Sequence, residues 1–165
     1  MRKFTVLIKG TSPILLHKFA LDQDLKDLDP KAQAEAVVYR DPHSNDFGFP
    51  SDMLYAAMFQ CDAPKGKFAI LPDPGIIILR RGNGRPFKRY EIDARFVVIE
   101  GRSVIRYRPR FDNWKSLFKM MIEPEEVEAV KNALRMAGEK QGLGDYRPPR
   151  GPFGTFEVLR FVEEN

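Results

Sequence analysis

The residues best equipped for chemistry are arginines. Six consecutive residues read Arg106-Tyr107-Arg108-Pro109-Arg110-Phe111, with Trp114 close behind. In an extended chain, residues two apart point the same way, so Arg106 and Arg108 share a face and Arg110 follows where the strand ends. Guanidinium groups about 7 Å apart, two residues of strand rise, suit the phosphates of an extended nucleic-acid strand. Arginine also grips phosphate through paired hydrogen bonds and stacks on bases. The pattern predicts an exposed row that holds phosphates, with Tyr107 and Trp114 near enough to stack bases. The competing arrangement pairs Arg106 and Arg108 with Glu91, Asp93 or Glu100 across a hairpin. For Trp114 the competing role is that of a core anchor.

Two further constellations add to this row. Arg80, Arg81, Arg85, Lys88 and Arg89 surround Gly82 and Gly84, a loop flexible enough to close over a backbone. Gly142, Gly144, Gly151 and Gly154 lie in a segment with Arg147 and Arg150. Glycines let backbone amides approach a ligand, and the arginines supply charge. An ordinary helix stop and connector is the alternative. This segment is not a Walker loop, because no Gly-Lys-Ser/Thr follows and a helix precedes it. Nor is it a dinucleotide fingerprint, because the order strand–loop–helix is absent. The predicted nucleic-acid-binding set is therefore Arg81, Arg85, Lys88, Arg89, Arg106, Arg108, Arg110, Trp114, Gly142, Gly144, Arg147, Arg150, Gly151 and Gly154.

The charge is polarised. Arg80 to Lys119 holds 12 Lys and Arg against 4 Asp and Glu, a local excess of eight in a chain of net charge +4. Acid concentrates in Asp22–Asp46 and Glu123–Glu128. Such a distribution attracts polyanions, RNA or single-stranded DNA above all.

Catalytic patterns are sparse. His17 and His43 are the only histidines and Cys61 the only cysteine, so neither a zinc spacing nor an internal disulfide is present. There is no Gly-x-Ser-x-Gly. Asp22, Asp24, Asp27 and Asp29 lack the glycine and terminal glutamate of a calcium loop. Asp41, His43 and Asp46 read as a polar loop. No cofactor or metal is implied. A lone cysteine fits a reducing compartment, and Met1-Arg2-Lys3 leads directly into an alternating strand, so a cytoplasmic location is expected. The longest apolar runs, such as Ile76–Leu79, are too short to span a bilayer, and no membrane partner is expected.

These residues need a scaffold, and 165 residues fit one domain. Phe4, Val6 and Ile8 alternate with polar neighbours, predicting a first strand. Asp29-Pro30 predicts a capped helix over 31–38, and Ser51 a second N-cap for a helix to Cys61. Strands are expected at 76–79, 94–100, 102–108 and 156–162, with a turn at Gly101. A third helix opens at Pro124 and ends at Gly138 or Gly142. The order strand, helix, strands, helix, strand is that of an α+β, ferredoxin-like domain: an antiparallel sheet with helices on one face and an insertion over about 11–50. A generic α+β meander is the alternative.

Several motifs resemble a known family. Gly48-Phe49-Pro50-Ser51 before an alanine-containing helix, and a glycine-rich loop between the last helix and the last strand, resemble the RAMP superfamily of CRISPR-associated proteins. Over nearly its whole length the chain also resembles small proteins encoded by phages and prophages, through Thr11–Phe19, Arg106–Trp114 and Gly142–Val158. The chain is short for an effector backbone subunit and shows no obvious thumb hairpin. The resemblance implies a ferredoxin-like (RRM-like) fold, RNA or single-stranded DNA binding, and self-association along the strand or membership of a CRISPR-like complex. It also implies two alternatives. One is a metal-independent endoribonuclease using His17 or His43. The other is a phage protein that inhibits a host defence complex by mimicking an effector subunit.

Overall fold

The computed structural model describes all 165 residues. In chain order its elements are β1 (Arg2–Gly10), β2 (Ile14–Leu15), α1 (Asp22–Leu25), α2 (Pro30–Ala36), β3 (Gly48–Pro50), α3 (Ser51–Phe59), β4 (Phe68–Leu71), β5 (Ile76–Ile78), β6 (Glu91–Ile99), β7 (Arg102–Phe111), β8 (Lys115–Ile122), α4 (Val127–Met136) and β9 (Phe156–Glu163). A single 3₁₀ turn, Pro124–Glu126, leads into α4, and a π-turn, Ala137–Gln141, leads out of it.

Two sheets carry most of the structure. The larger is antiparallel throughout, in the order β4-β8-β1-β9. On one of its faces Phe4, Val6 and Ile8 of β1, Phe118, Met120 and Ile122 of β8, and Phe68 and Ile70 of β4 are buried. They join Leu54, Ala57 and Met58 of α3 and Val130, Ala133 and Leu134 of α4 in one continuous apolar core. The smaller sheet has the order β2-β7-β6. Phe47, Phe49, Ile14, Phe111 and Trp114 carry the same core across to it. Burying side chains of this size stabilises by roughly 1.5–3 kcal/mol each, so the shared core fixes the hairpin base against the larger sheet. No helix is long and apolar enough to cross a membrane.

The α+β class and the antiparallel pairing agree with expectation, but the strands filling the main sheet differ. The β6–β7 hairpin, expected there, forms the second sheet instead. Its place is taken by β4 and β8, which the sequence pattern does not single out. In β8 the inward set is Ser116, Phe118, Met120 and Ile122, while Leu117 and Met121 face outward. With apolar residues on both faces and a serine on the inner one, the period of two is masked. The segment 11–50 is tied to the hairpin, through β2 on β7 and through α2 against both hairpin strands.

Local signals were mixed. Asp29 caps α2 as expected, its carboxylate accepting from Ala32 N at 2.8 Å, with Pro30 in the first turn. Ser51 does not cap α3; its hydroxyl accepts from Gly75 N, while its own N–H donates to Gly75 O. At the end of α4 the π-turn closes on Gly142, whose N–H donates to Ala137 O from a φ of 69°.

Candidate nucleic-acid interface

The arginine row is where expectation and structure differ most. Arg106 and Arg108 share a face of β7, as the period of two requires, but that face is covered. Arg106 is 5% exposed and Arg108 8%. Arg106 is ion-paired with Asp22 of α1, and Arg108 with Asp145 of the glycine-rich loop at 2.9 Å. Arg110 is held by Asp112 at 3.0 Å and lies 3.6 Å from Asp93. Arg95, opposite Arg106 in the ladder, pairs with Asp93 at 2.7 Å. The same guanidinium lies 4.5 Å and 4.8 Å from the ring centres of Tyr146 and Phe153. Four guanidinium groups thus meet four carboxylates, and the row presents no excess charge. The expectation of free phosphate-holding arginines at 106 and 108 is corrected on this ground. Of the cross-hairpin carboxylates considered as their partners, only Asp93 is used, and by Arg95 and Arg110. Asp22 and Asp145 come from distant parts of the chain, which strand periodicity does not reveal.

Trp114 is also corrected. It is fully buried, its indole N–H donates to Ser12 O at 2.9 Å, and its ring lies edge-on to Phe49 and Phe156. It cannot stack on a base. The exposed aromatic side chains are Phe19, Phe96 and Tyr146. Phe96 lies on the hairpin face opposite the arginines, across from Ile105, as its alternation with Arg95 in the sequence requires.

The glycine-rich loop is folded inward. Leu143 N donates to Gly154 O, Gly154 N to Pro13 O, Asp145 N to Leu15 O and Gly151 N to Arg147 O. Gly144, at φ 81°, sits against the Leu15 carbonyl so closely that any side chain would collide with it. The amides of Gly142, Gly151 and Gly154 therefore serve the fold and are not offered to a ligand. Arg147 and Arg150 remain exposed and without ion pairs, beside a cleft of about 580 Å³ shared with Gln60, Gln141 and Tyr146.

The 80–89 segment keeps its charge. Arg85, Lys88 and Arg89 are exposed, Arg80 and Arg81 half-buried, and none of the five is within 4.0 Å of a carboxylate. It is a built turn and not an open flap. Arg81 N donates to Arg85 O at 2.7 Å, Gly84 N to Arg81 O at 2.8 Å, and the Arg80 guanidinium to Gly84 O. The Nε atoms of Arg80 and Arg81 are buried and have no partner. Between this turn and the hairpin base lies a cleft of about 490 Å³, lined by the cations Arg81, Lys88, Arg89 and Arg110, the carboxylates Glu91 and Asp112, and the rings of Phe87 and Tyr90.

No family model and no curated protein matches the chain.

His17 is the one histidine drawn into a polar cluster. Its Nδ1 lies 3.7 Å from Asp145, which also binds Arg108. Burial, and then the positive charge of Arg108, hold its pKa below the ordinary 6.5, against the pull of Asp145. Burial and the same Asp145 raise that of Tyr39. His43 has no such setting. Asp41 accepts from the backbone N–H groups of His43 and Ser44 and from the Ser44 hydroxyl, so Asp41, His43 and Asp46 form a local turn.

Proposed function

We propose that the protein binds RNA or single-stranded DNA without acting on it, through the cations of the 80–89 turn together with Arg147 and Arg150. The observation that carries this reading is a division among the basic residues. Arg95, Arg106, Arg108 and Arg110 of the hairpin are each paired with a carboxylate, and only Arg102 at its tip is not, while those of the turn and the glycine-rich loop have no ion pair. A structured basic turn beside a cleft suits a backbone track, because free cations release counterions from phosphates and paired ones do not. We read the larger sheet with α3 and α4 as a ferredoxin-like unit of RAMP type. The order β4-β8-β1-β9 supports this, with α3 between the first and second of these strands in the chain and α4 between the third and fourth. A fluorescence-anisotropy titration with labelled single-stranded oligonucleotides tests the reading. The variant Arg81→Ala/Arg85→Ala/Lys88→Ala/Arg89→Ala should lose most of the affinity; equal affinity in variant and wild type would refute it.

One observation favours a second reading, a metal-independent endoribonuclease: the place of His17 between Asp145 and two arginines. An imidazole kept neutral at pH 7 can accept a proton from a ribose hydroxyl, and neighbouring guanidinium groups can balance the developing charge. RNA cleavage in the presence of a chelator, lost in His17→Ala, would support it; intact RNA leaves the binding role.

A further inference from the structure

The face of the larger sheet opposite α3 and α4 has no helix over it. Its residues follow from register. Lys9 is opposite Lys115, Leu7 opposite Leu117, and Thr5 opposite Lys119. Arg80 extends the first of these rows, bridged to Lys115 by two hydrogen bonds of 2.8 Å, from Arg80 N to Lys115 O and back. The residues next to them, Ile8, Ser116 and Leu79, are buried, so Lys115 and Lys9 point to the open side, and Arg80 leaves the backbone on that side with its guanidinium held by the Gly84 carbonyl.

Three cations therefore stand side by side, Lys9 and Lys115 on adjacent strands and Arg80 on the bridged segment that follows β5. Because both backbone polar groups of Lys115 are used by Arg80, Lys115 and Lys9 form a non-hydrogen-bonded pair, the arrangement that brings opposed side chains closest. Like charges directly opposed across strands destabilise a sheet. The Arg95–Arg106 pair shows how this fold handles the problem, since each of those arginines has its own carboxylate. Farther down the open face Lys119 is bound by Glu164, and at the sheet's far corner Arg2 by Glu163. At the Arg80 end neither lysine nor the arginine has an ion pair. Glu157, opposite Lys9 on β9, is the one carboxylate in the row, and it forms no salt bridge with Lys9.

The row is also continuous with the turn that carries Arg81 and Arg85, because Arg80 begins that turn. At its Cα atoms it spans about 10 Å, two inter-strand spacings. Beside it, Leu7 and the exposed Leu117 form an apolar floor.

We infer that Arg80, Lys115 and Lys9 form a phosphate track across the open sheet face, taking the sugar–phosphate backbone of a single strand onward from the 80–89 turn. This rests on the nucleic-acid reading above and adds the direction of the path, perpendicular to the strands. The ligand would supply the counter-charge that Arg80, Lys115 and Lys9 receive through no ion pair of the protein.

Binding and stability should move in opposite directions, which a structural role cannot produce. The variant Lys9→Ala/Lys115→Ala should melt at or above the wild-type temperature, because the repulsion is gone. Its log affinity against log salt, measured by anisotropy with a labelled 20-nucleotide single strand, should have a slope less negative by about 1.4, or 0.7 for each phosphate no longer held. Lys9→Gln/Lys115→Gln, which keeps much of the side-chain bulk, should behave alike. A wild-type slope in both variants, with the turn variant still losing affinity, would overturn the track and leave the binding reading standing. A lower melting temperature in both variants would show the lysines to be structural and would also overturn it. Failure of the wild-type protein to bind any single strand would remove both.

Discussion

Arg108→Ala tests whether the arginine row holds the fold or a ligand. Arg108 is nearly buried, and its guanidinium lies 2.9 Å from Asp145, a carboxylate about one-third exposed. At an effective dielectric of 20 the gross attraction at that distance is about 6 kcal/mol, much of it offset by the desolvation of the arginine. Truncation leaves Asp145 without its main partner, 3.7 Å from a half-buried histidine. It also opens a void under the glycine-rich loop. Breaking fully buried pairs of this kind costs about 3–5 kcal/mol, and the partial exposure of Asp145 places this one near the lower end, about 3 kcal/mol. For a chain of this length that corresponds to a melting temperature lower by about 6–12 °C. Thermal melts by circular dichroism measure it, with urea midpoints as a check. Asp145→Asn should cost less, and the double variant should be less destabilised than the sum of the two. An unchanged melting temperature together with weaker oligonucleotide binding would refute the structural assignment and return Arg108 to a ligand site.

Other consequences follow from the same structure. The lowered pKa of His17 means that the folded state resists protonating it, so stability should fall as pH drops below the ordinary histidine value of 6.5. His17→Gln should flatten the change in urea midpoint between pH 7.5 and 5.5, and an undiminished slope would show that other groups cause it. Gly144→Ala should cost at least about 2 kcal/mol, from a positive φ and a collision with the Leu15 carbonyl, read as a lower urea midpoint. Lys88→Ala and Arg89→Ala should each stay within about 0.5 kcal/mol of wild-type stability, since both are exposed and without ion pairs. A large loss in either would assign the turn a structural role.

Much of the scaffold was legible because its signals are local. Phe4, Val6 and Ile8 announce β1 by alternation, Asp29-Pro30 announces α2 by capping, and Gly101 separates β6 from β7. The central strand β8 was not legible, because Leu117 and Met121 on its open face hide the period of Phe118 and Met120. The candidate site was not legible for a different reason. Side-chain parity gives the direction in which Arg106 points, but not that α1 and the glycine-rich loop bring Asp22 and Asp145 to meet that face. The glycines at 142, 144 and 154 stand out in the sequence, yet the close approaches they permit are to the carbonyls of Phe153, Leu15 and Leu143 of the protein itself. The opposed Lys9 and Lys115 are 106 positions apart in the chain, and only the register of β1 against β8 brings them together.

The most direct test of a polyanion-binding role is the salt dependence of wild-type affinity for a single strand. Measured by anisotropy between 50 and 200 mM monovalent salt, log affinity should fall linearly with log salt. With the six free cations Arg81, Arg85, Lys88, Arg89, Arg147 and Arg150 engaged, the slope should be about −4, and about −6 when Arg80, Lys115 and Lys9 are engaged as well. A flat dependence, or no binding at the lowest salt to either RNA or single-stranded DNA, would contradict that role.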